Sequence, residues 1–159
     1  AIFISIGYNS EAQNKKMELS FTTGYVINHW EIGTEYQKFA PGGHIGFNLY
    51  TKKAKRFKTD FQLSINLSGR GGKNTSGSFL SVNALYGGRY YFVDPEKSTS
   101  IFASALIGGV FINETGDDFT ENLIGFGYSA GCFVDINRFI IGASVESYNN
   151  FIFKVGYTF

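Results

Sequence analysis

The feature that most constrains this chain is an alternation of large apolar residues with smaller or polar ones. In segment 57–68, one face carries Phe57, Phe61, Leu63, Ile65 and Leu67, and the other carries Lys58, Asp60, Gln62, Ser64, Asn66 and Ser68. Segments 17–28, 30–37 and 151–159 repeat this pattern. A period of two is typical of a β-strand with two unlike faces, and helical spacing fits none of these segments. The sequence therefore predicts an all-β protein.

Turn signals between the alternating runs divide the chain into about ten strands, with eight as the alternative count. We predict strands at 1–9, 17–27, 30–38, 43–51, 57–69, 78–93, 99–112, 123–136, 138–147 and 150–159. We predict tight turns at 28–29, 52–56, 94–97 and 137–138, and longer polar loops at 10–16, 38–43, 70–77 and 113–122. Short turns at one rim and longer loops at the other are typical of membrane barrels.

Length and composition limit the possible classes of protein. The 159 residues suit one domain, 1–159, and aromatic residues reach 18% while charged residues stay at 17%. A net charge of +1 gives no electrostatic reason to expect nucleic acid, and a single cysteine excludes an internal disulfide framework. No apolar run approaches the roughly 20 residues that a membrane helix needs. The abrupt start inside a strand-like run leads us to expect a processed precursor.

Side-chain volume decides which face of the strands points inward. If the apolar faces pointed inward, ten strands with four or five large apolar side chains each would overfill the barrel. The interior of an eight-stranded barrel is only just wide enough for side chains to fill, and ten strands add little room. Small and charged residues fit a narrow lumen, and Phe, Ile and Tyr fit lipid. Aromatic residues also lie near the predicted strand ends, as interface girdles require. We therefore predict a closed, antiparallel, up-and-down transmembrane β-barrel with both termini in the periplasm.

Three segments resemble the small outer-membrane β-barrel proteins common in the Bacteroidota. They are the hairpin 24–33 (GYVINHWEIG), the strand end 89–92 (RYYF) and the terminal segment 155–159 (VGYTF). Tyr157 and Phe159 resemble the signal read by the barrel-assembly machinery, although Lys154 stands where that signal usually has Gly. The resemblance implies a Gram-negative precursor with a leader, insertion into the bacterial outer membrane, and contact with its lipid and with that machinery. It transfers no function residue by residue.

The predicted lumen face collects charges of both signs. They are Glu18, Glu31, Glu35, Lys58, Asp60, Arg89, Asp135, Arg138, Glu146 and Lys154. Such residues could line a narrow selective pore. We favour the alternative, an internal salt-bridge network that plugs a barrel too small to conduct.

Other candidate residues lie at the predicted rims. His44 lies near the outer rim with Asp117 and Asp118 in an outer loop, so a catalytic dyad is conceivable, although an ordinary histidine is favoured. His29 is placed in a tight turn on the opposite side. The basic turn of Lys52, Lys53, Lys55 and Arg56 could dock an acidic periplasmic partner or lipid headgroups. We expect no cofactor, no metal and no enzyme activity.

The sequence is compatible with three functions. The favoured one is a structural or accessory subunit of an outer-membrane assembly, secretion or uptake complex, which would contact other outer-membrane or periplasmic proteins. The first alternative is a narrow outer-membrane pore. The second is a rim-active outer-membrane protease or lipid A-modifying enzyme.

Overall fold

The computed structural model describes residues 17–28, 31–32, 35–36, 40–51, 56–72, 75–116, 120–148 and 150–159. They form one closed antiparallel barrel of eight strands and a separate two-stranded ribbon. The barrel strands are β1 (Met17–Asn28), β4 (Ala40–Thr51), β5 (Phe57–Gly72), β6 (Thr75–Tyr91), β7 (Thr99–Thr115), β8 (Thr120–Ile136), β9 (Phe139–Glu146) and β10 (Asn150–Thr158). The ribbon consists of β2 (Glu31–Ile32) and β3 (Glu35–Tyr36).

The barrel class is confirmed, and the strand count is the alternative of eight rather than ten. The strand predicted at 30–38 is not a barrel strand, because β1 pairs directly with β4, from Asn28 opposite Ala40 to Met17 opposite Thr51. The tight hairpin predicted at 28–29 is therefore wrong, and the chain from 29 to 39 connects two barrel neighbours. The strand predicted at 1–9 lies outside the described residues. Alternation identifies a two-faced strand but not the strand with which it pairs.

Strand register fixes the tilt of the barrel. Moving from each residue to its partner on the next strand, a path that starts at Asn28 returns to β1 at Glu18 after one circuit, so the register shift is ten residues. The path passes through Asn150, Glu146, Ser129, Leu106, Gly87, Asp60 and Tyr50. Ten residues of about 3.3 Å against eight strand spacings of about 4.8 Å give a tilt of about 40°. This tilt lies in the range of small closed barrels, whose interior is narrow enough for side chains to fill.

The apolar face of the barrel points outward and the polar face inward. On β5, Phe61, Leu63, Ile65 and Leu67 are exposed, and the residues between them are buried. Among the described residues, 21 buried polar or charged residues outnumber 12 buried hydrophobic ones. A water-soluble domain shows the reverse distribution. The predicted orientation, with a lipid-facing apolar wall and a polar interior, therefore agrees with the structure.

The two ends of the barrel differ. We call the end that holds Met17 and Phe159 the terminal rim, and the opposite end the far rim. The terminal rim carries the turn at 92–98 and the tight turn at 137–138. Asn137 and Arg138 adopt φ values of 50° and 78°, as the mirror-image turn of a two-residue hairpin requires. The turn predicted at 137–138 is therefore present.

Four strands extend past the others at the far rim. The loops predicted at 70–77 and 113–122 are largely strand, because Gly72 pairs with Thr75 and Thr115 pairs with Thr120. The pairing of β8 with β9 already ends at Ser129. Beyond the lipid both faces of a sheet can meet water, so polar residues there interrupt the alternation without ending the strands. No helix among the described segments is long and apolar enough to cross a membrane.

The outward orientation can be tested by placing a charge at two depths of the wall. Leu63 lies midway along β5 and Met17 lies at the terminal rim, and both are exposed. We expect Leu63→Arg to lower the free energy of unfolding by about 2–4 kcal/mol, and Met17→Arg by no more than about 1 kcal/mol. Urea unfolding in lipid vesicles measures both. Equal costs at the two depths, or a protein that stays soluble without any amphiphile, would contradict the orientation.

Candidate functional site: a sealed lumen

The centre of the lumen is a fully buried carboxylate. Glu146 faces inward from β9, and its Oε1 accepts hydrogen bonds from Lys154 Nζ at 2.5 Å and from Gln62 Nε2 at 2.8 Å. Its Oε2 accepts one from Asn66 Nδ2 at 3.0 Å. The hydroxyls of Ser64 and Ser129 add longer contacts of 3.4 Å each. The carboxylate thus has a cationic partner and several polar donors, as a buried charge needs.

These hydrogen bonds cross the whole lumen. In the order of strands around the barrel, β9 and β5 lie four positions apart, which places them on opposite walls. Glu146 extends from β9, and Gln62 and Asn66 meet it from β5. Lys154 joins from β10, next to β9. Direct bonds between opposite walls leave no continuous bore at this level, so the geometry is that of a plug.

His44 belongs to this network and not to a rim. Its side chain is buried, with Nδ1 2.6 Å from Asn66 Oδ1 and Nε2 3.3 Å from Thr22 Oγ1. His44 lies four residues from the far-rim end of β4, and its side chain points into the lumen and is not open at the rim. Asp117 and Asp118, the conceivable dyad partners, and His29 lie outside the described residues.

A second ion pair lies nearer the terminal rim. Arg89 on β6 donates to Asp60 on β5 through Nε at 2.9 Å and through Nη2 at 2.5 Å, and both residues are buried. The guanidinium carbon lies 3.7 Å from the ring centroid of Tyr50, where a planar cation interacts favourably with the ring face. Asn48 also donates to the Asp60 carboxylate, at 3.2 Å.

Apolar groups complete the seal beside this pair. Tyr91, Phe102, Phe133 and Ile140 form a buried cluster inside the lumen, with the rings of Phe102 and Phe133 stacked at 5.1 Å. Two inward glycines flank the Phe133 ring, Gly131 on the same strand and Gly142 on β9. A Cβ at either glycine would collide with that ring. Strand 99–112 carries Phe102 on its inner face for this reason, and further along the same face Val110 and Ile112 pack in a second buried cluster with Phe79. The sequence alone does not reveal why both faces of this strand are apolar.

The terminal rim opens into a vestibule. This cavity of about 550 Å³ is lined by Glu18, Tyr50, Lys58, Tyr91, Asp135 and Arg138, together with the turn at 95–98. Lys58 pairs with Glu18 at 3.4 Å and lies 4.9 Å from the Tyr91 ring centroid. Arg138 is exposed in its turn, and its backbone N–H donates to Asp135 Oδ1 at 3.1 Å. No residue of the network around Glu146 lines the vestibule, so this cavity does not cross the barrel.

The structure separates the predicted charge network into parts. Three pairs lie inside the barrel, namely Glu18 with Lys58, Asp60 with Arg89, and Glu146 with Lys154. Asp135 and Arg138 meet at the terminal rim instead. Glu31 and Glu35 lie on the ribbon, which pairs with no barrel strand, and their side chains lie outside the described residues. Sequence reasoning missed the bridging role of Gln62 and Asn66, because an amide on a polar face gives no sign of its distant partner.

Of the predicted basic turn, Lys52, Lys53 and Lys55 lie outside the described residues, and Arg56 lies at the terminal rim. Arg56 is exposed, and its carbonyl accepts a hydrogen bond from the Tyr91 N–H at 2.7 Å.

The last residues of the chain pack on the outer wall of this rim. The Tyr157 ring packs edge-on against Phe139 at 5.1 Å and against Phe159 at 5.3 Å. The Phe159 N–H donates to the Leu19 carbonyl at 2.9 Å, which extends the β10–β1 pairing to the end of the sequence. Cys132 is a free, exposed thiol on the outer row of β8. The described residues contain no group of three or more His, Cys, Asp or Glu that could hold a metal.

Solved structures share this architecture. Ail, the attachment invasion locus protein of Yersinia pestis, superposes with a TM-score of 0.62 at 19% identity, covering 89% of this chain and 98% of Ail. Neisserial surface protein A gives a TM-score of 0.60 at 10% identity, covering 89% of this chain and 95% of that protein. No family model and no curated protein sequence matches the chain. The likeness shows the fold, that of small outer-membrane β-barrels.

The central ion pair can be tested by removing its charges singly and together. Lys154→Met leaves the Glu146 carboxylate buried without its cation, so we expect a loss of about 3–5 kcal/mol in the free energy of unfolding. The double variant Glu146→Gln/Lys154→Met removes both charges, and we expect it to recover most of that loss. Urea unfolding in detergent micelles measures both variants. A double variant as unstable as the single one would contradict the pairing.

Proposed function

We propose that this protein is an integral outer-membrane barrel that acts as a structural or accessory subunit of an outer-membrane assembly, secretion or uptake complex. The observation that carries the proposal is the lumen-spanning network around Glu146, which joins opposite walls through Gln62 and Asn66. A barrel closed at its centre cannot work by passing solutes through its axis. The surfaces left for function are the lipid-facing wall, the terminal rim and the far rim.

The wall supports this proposal because it is apolar over most of its surface. The exposed large hydrophobic residues occur on every barrel strand, so lipid contact is possible all around the barrel. In the part of the barrel next to the terminal rim, each strand pairs its main-chain groups with neighbours on both sides, as a hydrocarbon environment demands. Outer-membrane lipid is therefore the first partner in the proposal, and other outer-membrane or periplasmic proteins are the second.

The orientation and biogenesis of the barrel form part of the same proposal. Both termini would face the periplasm, where the terminal rim carries the short turns. Tyr157 and Phe159 would be read by the barrel-assembly machinery, and their position on the outer wall at the end of β10 leaves them accessible from lipid. An origin in the Bacteroidota, which the sequence resemblance suggests, also stays within the proposal.

The proposal includes that the protein is not an enzyme. His44, the candidate histidine for chemistry at a rim, is buried in the lumen between Asn66 and Thr22. No substrate reaches a side chain enclosed in this way without opening the barrel. The narrow pore, the other alternative, would require the bonds across the lumen to break.

Ionic conductance tests the sealed lumen. We expect the wild-type barrel to give no steady current in planar lipid bilayers, because the bonds to Glu146 cross the bore. A variant with alanine at both levels of the seal, replacing Gln62, Glu146 and Lys154 and also Asp60, Arg89, Phe102 and Phe133, should give discrete conductance steps. The triple variant Gln62→Ala/Glu146→Ala/Lys154→Ala keeps the second seal and should remain silent. The matched control Leu63→Ala changes only the lipid face of the same strand and should remain silent. A steady wild-type current would support the pore instead.

Purification in mild detergent tests the role of a subunit. The barrel, carrying an affinity tag, should be recovered from outer membranes in a stoichiometric complex that survives size-exclusion chromatography. Mass spectrometry identifies its members. Recovery of the barrel only as a monomer, with lipid as its sole companion, would contradict an accessory role.

A further inference from the structure

The vestibule at the terminal rim has the size of a binding site. Its volume of about 550 Å³ lies within the range of pockets that hold small molecules. The bonds around Glu146 close the lumen beyond it, so a molecule that enters the vestibule does not pass through the barrel. Such a molecule would instead meet the side chains that line the cavity.

The charges that line the vestibule are balanced. Six charged side chains among the described residues line it, three of each sign: Glu18, Glu96, Asp135, Lys58, Lys97 and Arg138. A ligand with several charges of one sign would bring like charges together, which costs free energy. A molecule with one positive and one negative group can match both signs. The lining therefore favours a zwitterion over a polyanion or a polycation.

Lys58 presents a buried ammonium group that has donors to spare. The residue is 6% exposed, and among the described residues its Nζ donates only to Glu18 Oε2, at 3.4 Å. An ammonium group has three N–H donors. The ring faces of Tyr50 and Tyr91, 5.3 Å and 4.9 Å from Nζ, attract the charge but offer no strong acceptor. A carboxylate in the vestibule would receive a charge-assisted hydrogen bond from Lys58.

Asp135 presents the complementary group on another wall. In the order of strands around the barrel, β8 with Asp135 and β5 with Lys58 lie three positions apart. Asp135 Oδ1 accepts the Arg138 N–H at 3.1 Å, and its carboxylate forms no ion pair with a described side chain. A carboxylate has about four lone-pair sites, so an ammonium group would find acceptors here. The two ends of a zwitterion would thus meet opposite charges on two walls.

The turn beside Asp135 is held in place by the barrel itself. The Asn137 N–H donates to the Ser98 carbonyl at 2.8 Å, and the Thr158 N–H donates to the Arg138 carbonyl at 2.9 Å. With the bond to Asp135, these contacts join the turn to β8, to β10 and to the neighbouring turn of the same rim. A site that is ordered in advance loses less conformational entropy when a ligand binds.

We propose that the vestibule binds a small zwitterionic peptide, of the size of a dipeptide, with its carboxylate at Lys58 and its ammonium group at Asp135. The site goes beyond the proposed accessory role and does not depend on it, because all of its groups belong to this barrel. With the orientation proposed above, the peptide would enter from the periplasm.

NMR titration in lipid nanodiscs tests the site, with dialanine as the probe. The amide shifts of 96–98 and 135–138 should change and saturate, and those of 110–112, near the far rim, should not. Dialanine with an acetylated N-terminus or an amidated C-terminus lacks one charge. We expect each of these two forms to bind the wild-type protein about tenfold more weakly, and the form with both blocks to bind more weakly still.

Two variants assign the charges to their partners. Lys58→Met should weaken the binding of dialanine by about tenfold and leave the binding of its amidated form unchanged. Asp135→Asn should act in the converse way, with the acetylated form as the insensitive ligand. Arg56→Gln, the matched control, changes an exposed charge of the same rim that does not line the vestibule, and it should have no effect. Heat-modifiable migration in gels shows whether each variant folds, and the blocked peptides test the wild type independently of any variant.

Several outcomes would overturn the inference. Shifts that do not saturate at millimolar dialanine, or no shifts at all, mean that the vestibule holds no such ligand. Equal binding of the free and the doubly blocked peptide means that the charges are not recognised. If the acetylated form binds as tightly as dialanine, the ligand is an anion and not a zwitterion. Recovery of the barrel only as a monomer refutes the accessory role alone, since binding in the vestibule needs no protein partner.

Discussion

The structure depends on one carboxylate that cannot be left unpaired. Glu146 is buried in the lumen, and its bonds reach Lys154 on the neighbouring strand and Gln62 and Asn66 on the opposite wall. A charge in such a place is costly unless it is paired and hydrogen-bonded. The inner faces of the strands that contact it, β5, β8 and β10, are then constrained, because an apolar side chain in place of one of these polar partners would leave the carboxylate short of hydrogen bonds. The interior is a polar core in the place where a soluble protein has an apolar one.

The polar core and the apolar wall support one another. Eight strands with a register shift of ten residues enclose a lumen that side chains can fill. Closure pairs the main chain around the ring, so the wall can lie in lipid without unsatisfied groups. Where the interior has spare room near the terminal rim, Phe102, Phe133 and Tyr91 fill it beside glycines. The result is a barrel with a closed lumen, in which the wall and the two rims are the surfaces that can contact other molecules.

The far rim departs from this closed arrangement. Strands β5 to β8 continue after their neighbours have ended, so the cylinder opens into a sheet whose two edges pair with no other described strand. Above the hydrocarbon, water can satisfy main-chain groups that have no strand partner. The same chain thus combines a wall that forbids open main-chain groups with a rim that tolerates them. The difference follows from the surroundings of each part, lipid for the wall and water for the rim.

The strand period, the outward direction of the apolar rows and the class of the fold follow from the sequence alone, because a narrow lumen cannot hold the apolar rows of all the strands together. The sequence also located Glu146, Lys154, Asp60 and Arg89 on the inner face. The number of barrel strands, eight, could be read only from the tertiary structure, because an alternating segment such as 30–38 does not show whether it pairs with a neighbouring strand. The hydrogen bonds across the lumen, among them those of His44 and Gln62, also became visible only in the closed barrel. Contacts between opposite walls depend on register and shear, which no local pattern encodes.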